Sequence, residues 1–281
     1  YRTKGDSISA KPLLEQALAA FDCTQTTDSS AVSRIVITLA EIASREGDIA
    51  GAIRHYKRAV EMLRNSSGID NALLASAHCG LGRLFMHLGD LDAAKQAAMY
   101  AVAVFGGGRN TEQLHSSYPR ALEFLAEVYE AQGREADADH SMKRAWFTTK
   151  RIHGPQSRET GVCILCYAHM VADRGPESAD VAEKLYVKAM RVLKAANGKK
   201  HLDVGMALQG LAHLYSNLYR LDEAQRCFRR ALKIFSRYGN ATVSVRRDVL
   251  DALAEIYAEM GRTRAAAKCK KMAADLRKKG A

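Results

Sequence analysis

Proline is scarce: the 281 residues hold only four, so few positions forbid a helix interior. Aromatic residues make up 7%, with a single tryptophan, Trp146. Ala, Leu, Arg and Lys are abundant instead, which favours an all-α chain over a sheet. No apolar run approaches the ~18 residues of a spanning helix, so no membrane insertion is expected. The six cysteines (Cys23, Cys79, Cys163, Cys166, Cys227, Cys269) fall mostly within helical patterns and suggest no disulfide framework. They read as reduced thiols of an intracellular protein, cytoplasmic or from the interior of a mitochondrion or plastid.

Recognisable chemistry is also missing. No nucleophile and base stand at a familiar spacing, so no enzyme and no cofactor is expected. Gly106-Gly107-Gly108 lacks the Lys-Ser/Thr of a phosphate loop and reads as a connector. Cys163, Cys166 and His169 spell C-x-x-C-x-x-H on one expected helix. A zinc site usually needs a fourth ligand, and ordinary helix packing accounts for the three, so no metal is expected.

Charge is plentiful but unevenly placed. Residues 1–140 hold 14 Lys/Arg against 18 Asp/Glu, a net −4; residues 141–281 hold 28 against 13, a net +15. A strongly basic half points to an acidic partner, nucleic acid or another anionic surface.

What is present above all is repetition. Residues 80–102 read GLGRLFMHLGDLDAAKQAAMYAV: a small residue at Gly82, an aromatic at Phe85, a Gly89-Asp90 turn, then small residues at Ala94, Ala98 and Ala101. A full repeat lies 42 residues earlier, with Leu39, Ala40 and Ala43, a Gly47-Asp48 turn, then Ala52, Tyr56 and Ala59. The spelling returns with Leu125, Ala126, Gly133, Ala138, Met142 and Ala145, and then with Ala168, a longer turn through Arg174-Gly175-Pro176, Ala182, Tyr186 and Ala189. It returns twice more, with Leu211, Ala212, Ala224, Phe228 and Ala231, and with Leu253, Ala254, Gly261, Ala266, Lys270 and Ala273. Fixed-period self-similarity marks stacked helix pairs. Small residues allow close helix approach, and the aromatics fill the gap to the next repeat. The expected organisation is one solenoid over 1–281, with repeats at 32–64, 72–106, 117–152, 160–196, 203–238 and 245–279. Residues 1–22 match the second half of a further repeat, with Tyr1, Gly5 and Asp6 at the places of Phe85, Gly89 and Asp90. The second helix would then run over about Ser7 to Phe21, as part of a longer polypeptide or a trimmed one. Lys270 replaces the aromatic of other repeats and suits a solvated last helix.

These features resemble the tetratricopeptide repeat, and the 42-residue period resembles the longer repeats of kinesin light chains. His153 to Thr160 (HGPQSRET) and Lys199 to Tyr215 are similar to that family's linkers running into a new first helix. The resemblance implies a right-handed α-solenoid of antiparallel helix pairs whose first helices line a concave groove. Carried onto this sequence, the groove positions are Arg34, Thr38, Glu41 and Arg45; Ser76, Arg83 and His87; Arg120, Glu123, Glu127 and Glu130; His169 and Asp173; Gln209, His213 and Asn217; and Asp248, Asp251, Glu255 and Glu259. Chaperone-binding relatives carry a Lys and paired Asn residues in the groove; the matching fifth and ninth positions of the repeats here hold neither. Where kinesin light chains spell Leu-Asn-Asn-Leu-Ala, it reads LQGLA, LDALA and LEFLA.

Second helices would form the outer, convex surface. Lys143 and Arg144, then Lys184, Lys188 and Arg191, then Arg226, Arg229, Arg230 and Lys233 fall there at spacings of three and four, on one face of each helix. The expected function is a non-catalytic scaffold or adaptor that docks protein partners in a multi-subunit complex. An alternative is a structural subunit of a ribonucleoprotein, such as an organellar ribosome or RNA-processing complex, with that basic face against RNA or an acidic protein surface. A motor-cargo adaptor follows from the resemblance alone.

Overall fold

The computed structural model describes residues 4–24, 29–65, 70–106 and 115–279. Tyr1, the centre of the polar connector after Cys23, and Gly107-Gly108 lie outside the described residues. Among the described residues there is no strand: the chain is all-α, and twelve of its thirteen α-helices follow one another as consecutive pairs. Contacts divide it into two units, residues 1–145 and 146–281.

In the first unit α1 (Lys4–Thr24) precedes the pairs α2 (Ser29–Glu46) with α3 (Ile49–Arg64) and α4 (Asn71–His87) with α5 (Leu91–Phe105). α6 (Tyr118–Ala131) follows, then α7 (Glu135–His153), which crosses the boundary between the units. α2 packs on α3 and α4 on α5, while α3 meets α4 and α5 meets α6. The Gly-Asp turns work as the sequence suggests. Gly47 and Gly89 sit at φ 84° and 81°, a region that costs any residue with a Cβ. Asp48 and Asp90 then cap the following helices by accepting from the Gly51 and Ala93 amides at 2.8 and 3.0 Å, which satisfies donors the helix start leaves unpaired. Ala40, Ala52, Ala59, Ala94 and Ala98 are wholly buried, so the paired helices approach closely.

The expected turn at Gly5-Asp6 does not form: both residues lie inside α1. Elsewhere such a turn is held by the preceding helix, as where the Asp90 amide bonds the Phe85 carbonyl at 2.9 Å. Gly5 and Asp6 instead belong to the first turns of that helix. Leu18 is buried against the first core, with Leu14 and Phe21 beside it, and Lys11 pairs with Glu46 at 2.7 Å.

The second unit holds α8 (Arg158–Ala172) with α9 (Ala179–Asn197), α10 (Leu202–Asn217) with α11 (Leu221–Phe235), and α12 (Val243–Glu259) with α13 (Thr263–Lys279). Between α8 and α9 the longer turn becomes a short 3-10 helix at Pro176–Ser178. Phe228 and Phe235 of α11 are fully buried, each contributing about 2–3 kcal/mol of apolar burial. Lys270 is exposed on α13.

One hairpin departs from the rule. Tyr219 occupies the place of Gly89, with φ 56°, and is 81% exposed. Its amide bonds the Ser216 carbonyl at 2.9 Å and the Arg220 amide bonds that of Tyr215 at 2.9 Å, the same turn as at Gly89-Asp90. Arg220 cannot cap α11 as an Asp would. It bonds Glu223 at 2.6 and 2.7 Å and reaches Glu183 of α9 at 2.7 Å, joining the second helices of successive repeats.

Candidate partner-binding clefts

Two clefts of one design open along the first helices, one in each unit. In the first unit Tyr56 of α3 lies across Gly80 of α4, so closely that a methyl group on Gly80 would overlap its ring. In the second, Tyr186 of α9 lies across Gly210 of α10 in the same way, a Cβ there standing 2.6 Å from the ring. Tyr56 and Tyr186 occupy equivalent places in their repeats, as do Gly80 and Gly210. The second helix of one repeat thus lays an aromatic ring on bare backbone of the next.

The cleft above Tyr56 and Gly80 has a volume of about 360 Å³ and is bordered by Glu41, Ser76, Cys79, Arg83, Arg120 and Phe124. Arg83 stands over the Phe124 ring at 4.8 Å and pairs with Glu127 at 3.0 Å. Burial, assisted by the Glu41 charge, pushes the Tyr56 hydroxyl up to about 12. Burial likewise lifts the Cys79 thiol to about 11, which leaves it protonated at neutral pH.

The cleft above Tyr186 and Gly210 has a volume of about 290 Å³, bordered by His169, Asp173, Met206, Gln209, His213 and Asn217. The Tyr186 hydroxyl and His169 Nδ1 are 2.9 Å apart. Burial lowers the His169 pKa against the pull of Asp173, and raises that of the Tyr186 hydroxyl. His213 packs edge-on against Phe228, with ring centroids 4.9 Å apart, and the partial loss of solvent lowers its pKa as well. Equivalent positions therefore carry opposite chemistry: Glu41 and Arg83 in one cleft, His169 and His213 in the other.

Of the groove positions expected from sequence, Glu41, Ser76, Arg83 and Arg120 gather in the first cleft, and His169, Asp173, Gln209, His213 and Asn217 in the second. The rest line neither. Arg45 pairs with Glu41 at 3.9 Å, Arg34 lies 3.4 Å from Ser30 Oγ, and Asp251 accepts from Arg277 at 3.1 Å. His87, Glu255 and Glu259 are exposed on their helices, while Glu123 and Glu130 are half-buried on α6. Tyr56 and Tyr186 were expected as packing between repeats, and their part in the cleft floors is new. Cys163 is buried and Cys166 exposed. Among the described residues no group of three or more His, Cys, Asp and Glu could hold a metal.

The outer basic residues are all exposed, but three are engaged within the fold. Arg144 donates to the Tyr118 hydroxyl at 2.6 Å, and Lys188 stands 3.9 Å over the Trp146 ring. Both stay exposed, and each meets an aromatic residue within its own unit. Lys143 pairs with Asp139 at 3.8 Å. Lys184, Arg191, Arg226, Arg229, Arg230 and Lys233 make no ion pair among the described residues.

Residues 32–105 and 177–237 match the family model of the tetratricopeptide repeat. These two stretches carry tetratricopeptide repeats. Solved structures of similar fold include BtubC (BKLC) from P. vanneervenii, 19% identical with a TM-score of 0.65, covering 83% of this chain and 91% of that one. A Podospora anserina putative kinesin light chain with nearly identical repeats is 16% identical, with a TM-score of 0.60 over 73% of this chain and 95% of that one. A Rap protein complexed with Competence and Sporulation Factor is 13% identical, with a TM-score of 0.58 over 95% and 84%. No curated protein sequence matches the chain. The tetratricopeptide repeats make this a fold that supports protein interaction in general, and no helix among the described residues is long and apolar enough to cross a membrane.

Proposed function

We propose that the chain is a non-catalytic interaction module, an adaptor that holds a segment of a protein partner along its first-helix clefts within a larger intracellular assembly. The observation that carries this reading is the paired design of the clefts. Each has a rigid floor, a tyrosine ring on glycine backbone, and a few polar side chains at its border. Preformed concave sites with an apolar floor and convergent polar groups are the usual form of a binding site. The floors match while the linings differ, so the two would grip different parts of a partner. The Rap protein named above, whose structure holds Competence and Sporulation Factor, supports a ligand-holding role for such a stack.

A peptide selected from a displayed random library against the whole chain tests this. Its amide-exchange footprint is expected at Tyr56, Gly80 and Arg83 or at Tyr186, Gly210 and His213. Arg83→Ala or His213→Ala should then weaken it about tenfold, as expected of a central contact. A footprint confined to other surfaces, or failure to select any peptide, would remove the reading.

A ribonucleoprotein role draws on one observation, the unpaired cations of α9 and α11. Between those helices lie the apolar side chains Val187, Met190, Leu208 and Leu211, which favour a protein partner over RNA.

A further inference from the structure

α9 and α11 each carry exposed basic residues at helical spacing: Lys184, Lys188 and Arg191 on one, Arg226, Arg229, Arg230 and Lys233 on the other. Positions i, i+3, i+4 and i+7 lie on one side of a helix, so each helix presents a cationic stripe. Between them lies an open cleft of about 630 Å³ whose floor is Val187, Met190, Leu208 and Leu211. Val187 is 41% exposed, an apolar side chain left facing solvent beside a row of charges. One wall ends at Tyr215 and Glu223. Tyr215 donates to Glu183 at 2.9 Å, and Arg220 lies 4.2 Å over its ring and holds both Glu183 and Glu223.

From these features we infer that the cleft between α9 and α11 docks an acidic amphipathic helix of a partner protein, with its apolar face on Val187 and Met190 and its carboxylates on the arginines of α11. The charge is complementary and largely uncommitted: Arg226, Arg229, Arg230 and Lys233 form no ion pair among the described residues, and Arg226 acts on a nearby carboxylate, Glu223. Lys194, half-buried close by, has its pKa lowered by burial and then by the charges of Arg230 and Lys199, which reflects the same excess of positive field. The cations repeat along α11 at the ~5–6 Å interval of i, i+4 neighbours, and carboxylates on a facing helix repeat at that interval too. α11 has 15 residues and so runs for about 22 Å, enough to face a helix of about four turns. Single-stranded RNA would need aromatic faces for its bases. The aromatic residue bordering the cleft is Tyr215, whose face is covered by Arg220. The surface is separate from the first-helix clefts, and its occupancy does not depend on theirs.

The test is fluorescence anisotropy with the whole chain and three labelled probes. The first is a synthetic peptide of about 16 residues with leucines at i, i+3, i+4 and i+7 and glutamates between them. The second is the same composition scrambled so that the leucines line no face. The third is an oligouridylate of equal charge. The first peptide is expected to bind at least tenfold more tightly than the other two. Val187→Asp and Arg226→Glu/Arg230→Glu should each weaken it about tenfold, while Arg83→Ala and His213→Ala leave it unchanged. These outer positions are exposed, so thermal melts should show the variants folded. Three results would each overturn the proposal. The amphipathic peptide could fail to bind. The scrambled peptide or oligouridylate could bind as well as it, which would mark a general polyanion surface. Binding could also survive Val187→Asp, which would show that the apolar floor is not used.

Discussion

Arg158 holds Asp203 with two guanidinium nitrogens, Nε at 2.6 Å from Oδ2 and Nη2 at 3.2 Å from Oδ1. The pair joins the start of α8 to the start of α10, the first helices of successive repeats. Asp203 is buried while Arg158 is about half exposed, so removing the arginine would leave a carboxylate with little access to water. Arg158→Ala should cost the second unit about 1–3 kcal/mol in urea unfolding, the range of a buried charged group that loses a partner. A double-mutant cycle with Asp203→Ala checks it: strictly additive losses would mean that the two side chains do not interact.

Gly80→Ala and Gly210→Ala should destabilise, although alanine suits a helix better than glycine by about 1 kcal/mol. The new methyl would meet the ring of Tyr56 or Tyr186. Both rings are buried and cannot swing away, and overpacking of this kind costs about 1–3 kcal/mol. Denaturant midpoints decide the sign. Replacing Tyr56 by leucine in the Gly80→Ala background should recover part of the loss.

Tyr219→Gly should stabilise by about 0.5–1 kcal/mol, because it relieves a left-handed conformation that is costly for a side-chain residue, less the entropy that glycine loses on folding. Tyr219 is 81% exposed, so the change sacrifices little burial. Tyr219→Ala, which keeps the strain, should gain little; equal gains from both would assign the effect to loss of the exposed ring instead.

Four histidines, His55, His78, His169 and His213, have pKa values lowered below the ordinary 6.5, each chiefly by burial. A depressed histidine means that the unfolded chain binds protons more readily. The stability these groups contribute is therefore present above about pH 6.5 and is lost as pH falls from there through their folded values. Melting temperature should drop between about pH 7 and 5 before carboxylates titrate, and His169→Gln should flatten the slope. A flat profile in the wild-type chain would contradict the burial of these rings.

Much of this structure is legible in the sequence, and the exceptions have physical causes. The helix pairs follow from Gly-Asp turns and buried alanines at a constant interval, features local to each repeat. The registered first helices also bring Glu41 and Arg83, and His169 and His213, to their clefts. Gly5-Asp6 misleads because the two letters alone do not make a turn: here both lie inside α1. The contacts of Arg144 with Tyr118 and of Lys188 with Trp146 are not legible, because these partners are distant in sequence. The outer cleft is hidden for a different reason. Met190, Leu208 and Leu211 have the spacing of ordinary core residues, and only the three-dimensional gap between α9 and α11 turns them into a floor.

The tyrosine-on-glycine contact makes each inner cleft the joint property of two neighbouring repeats, since the ring comes from one and the backbone from the next. A ligand seated there rests on the seam itself. It can be held only while the seam is closed, so its binding energy adds to the cohesion of the stack. The relation is reciprocal: stretching or shearing the repeats apart would eject the ligand, and a bound ligand would raise the force needed to part them. A ligand there would act as a clasp across two repeats.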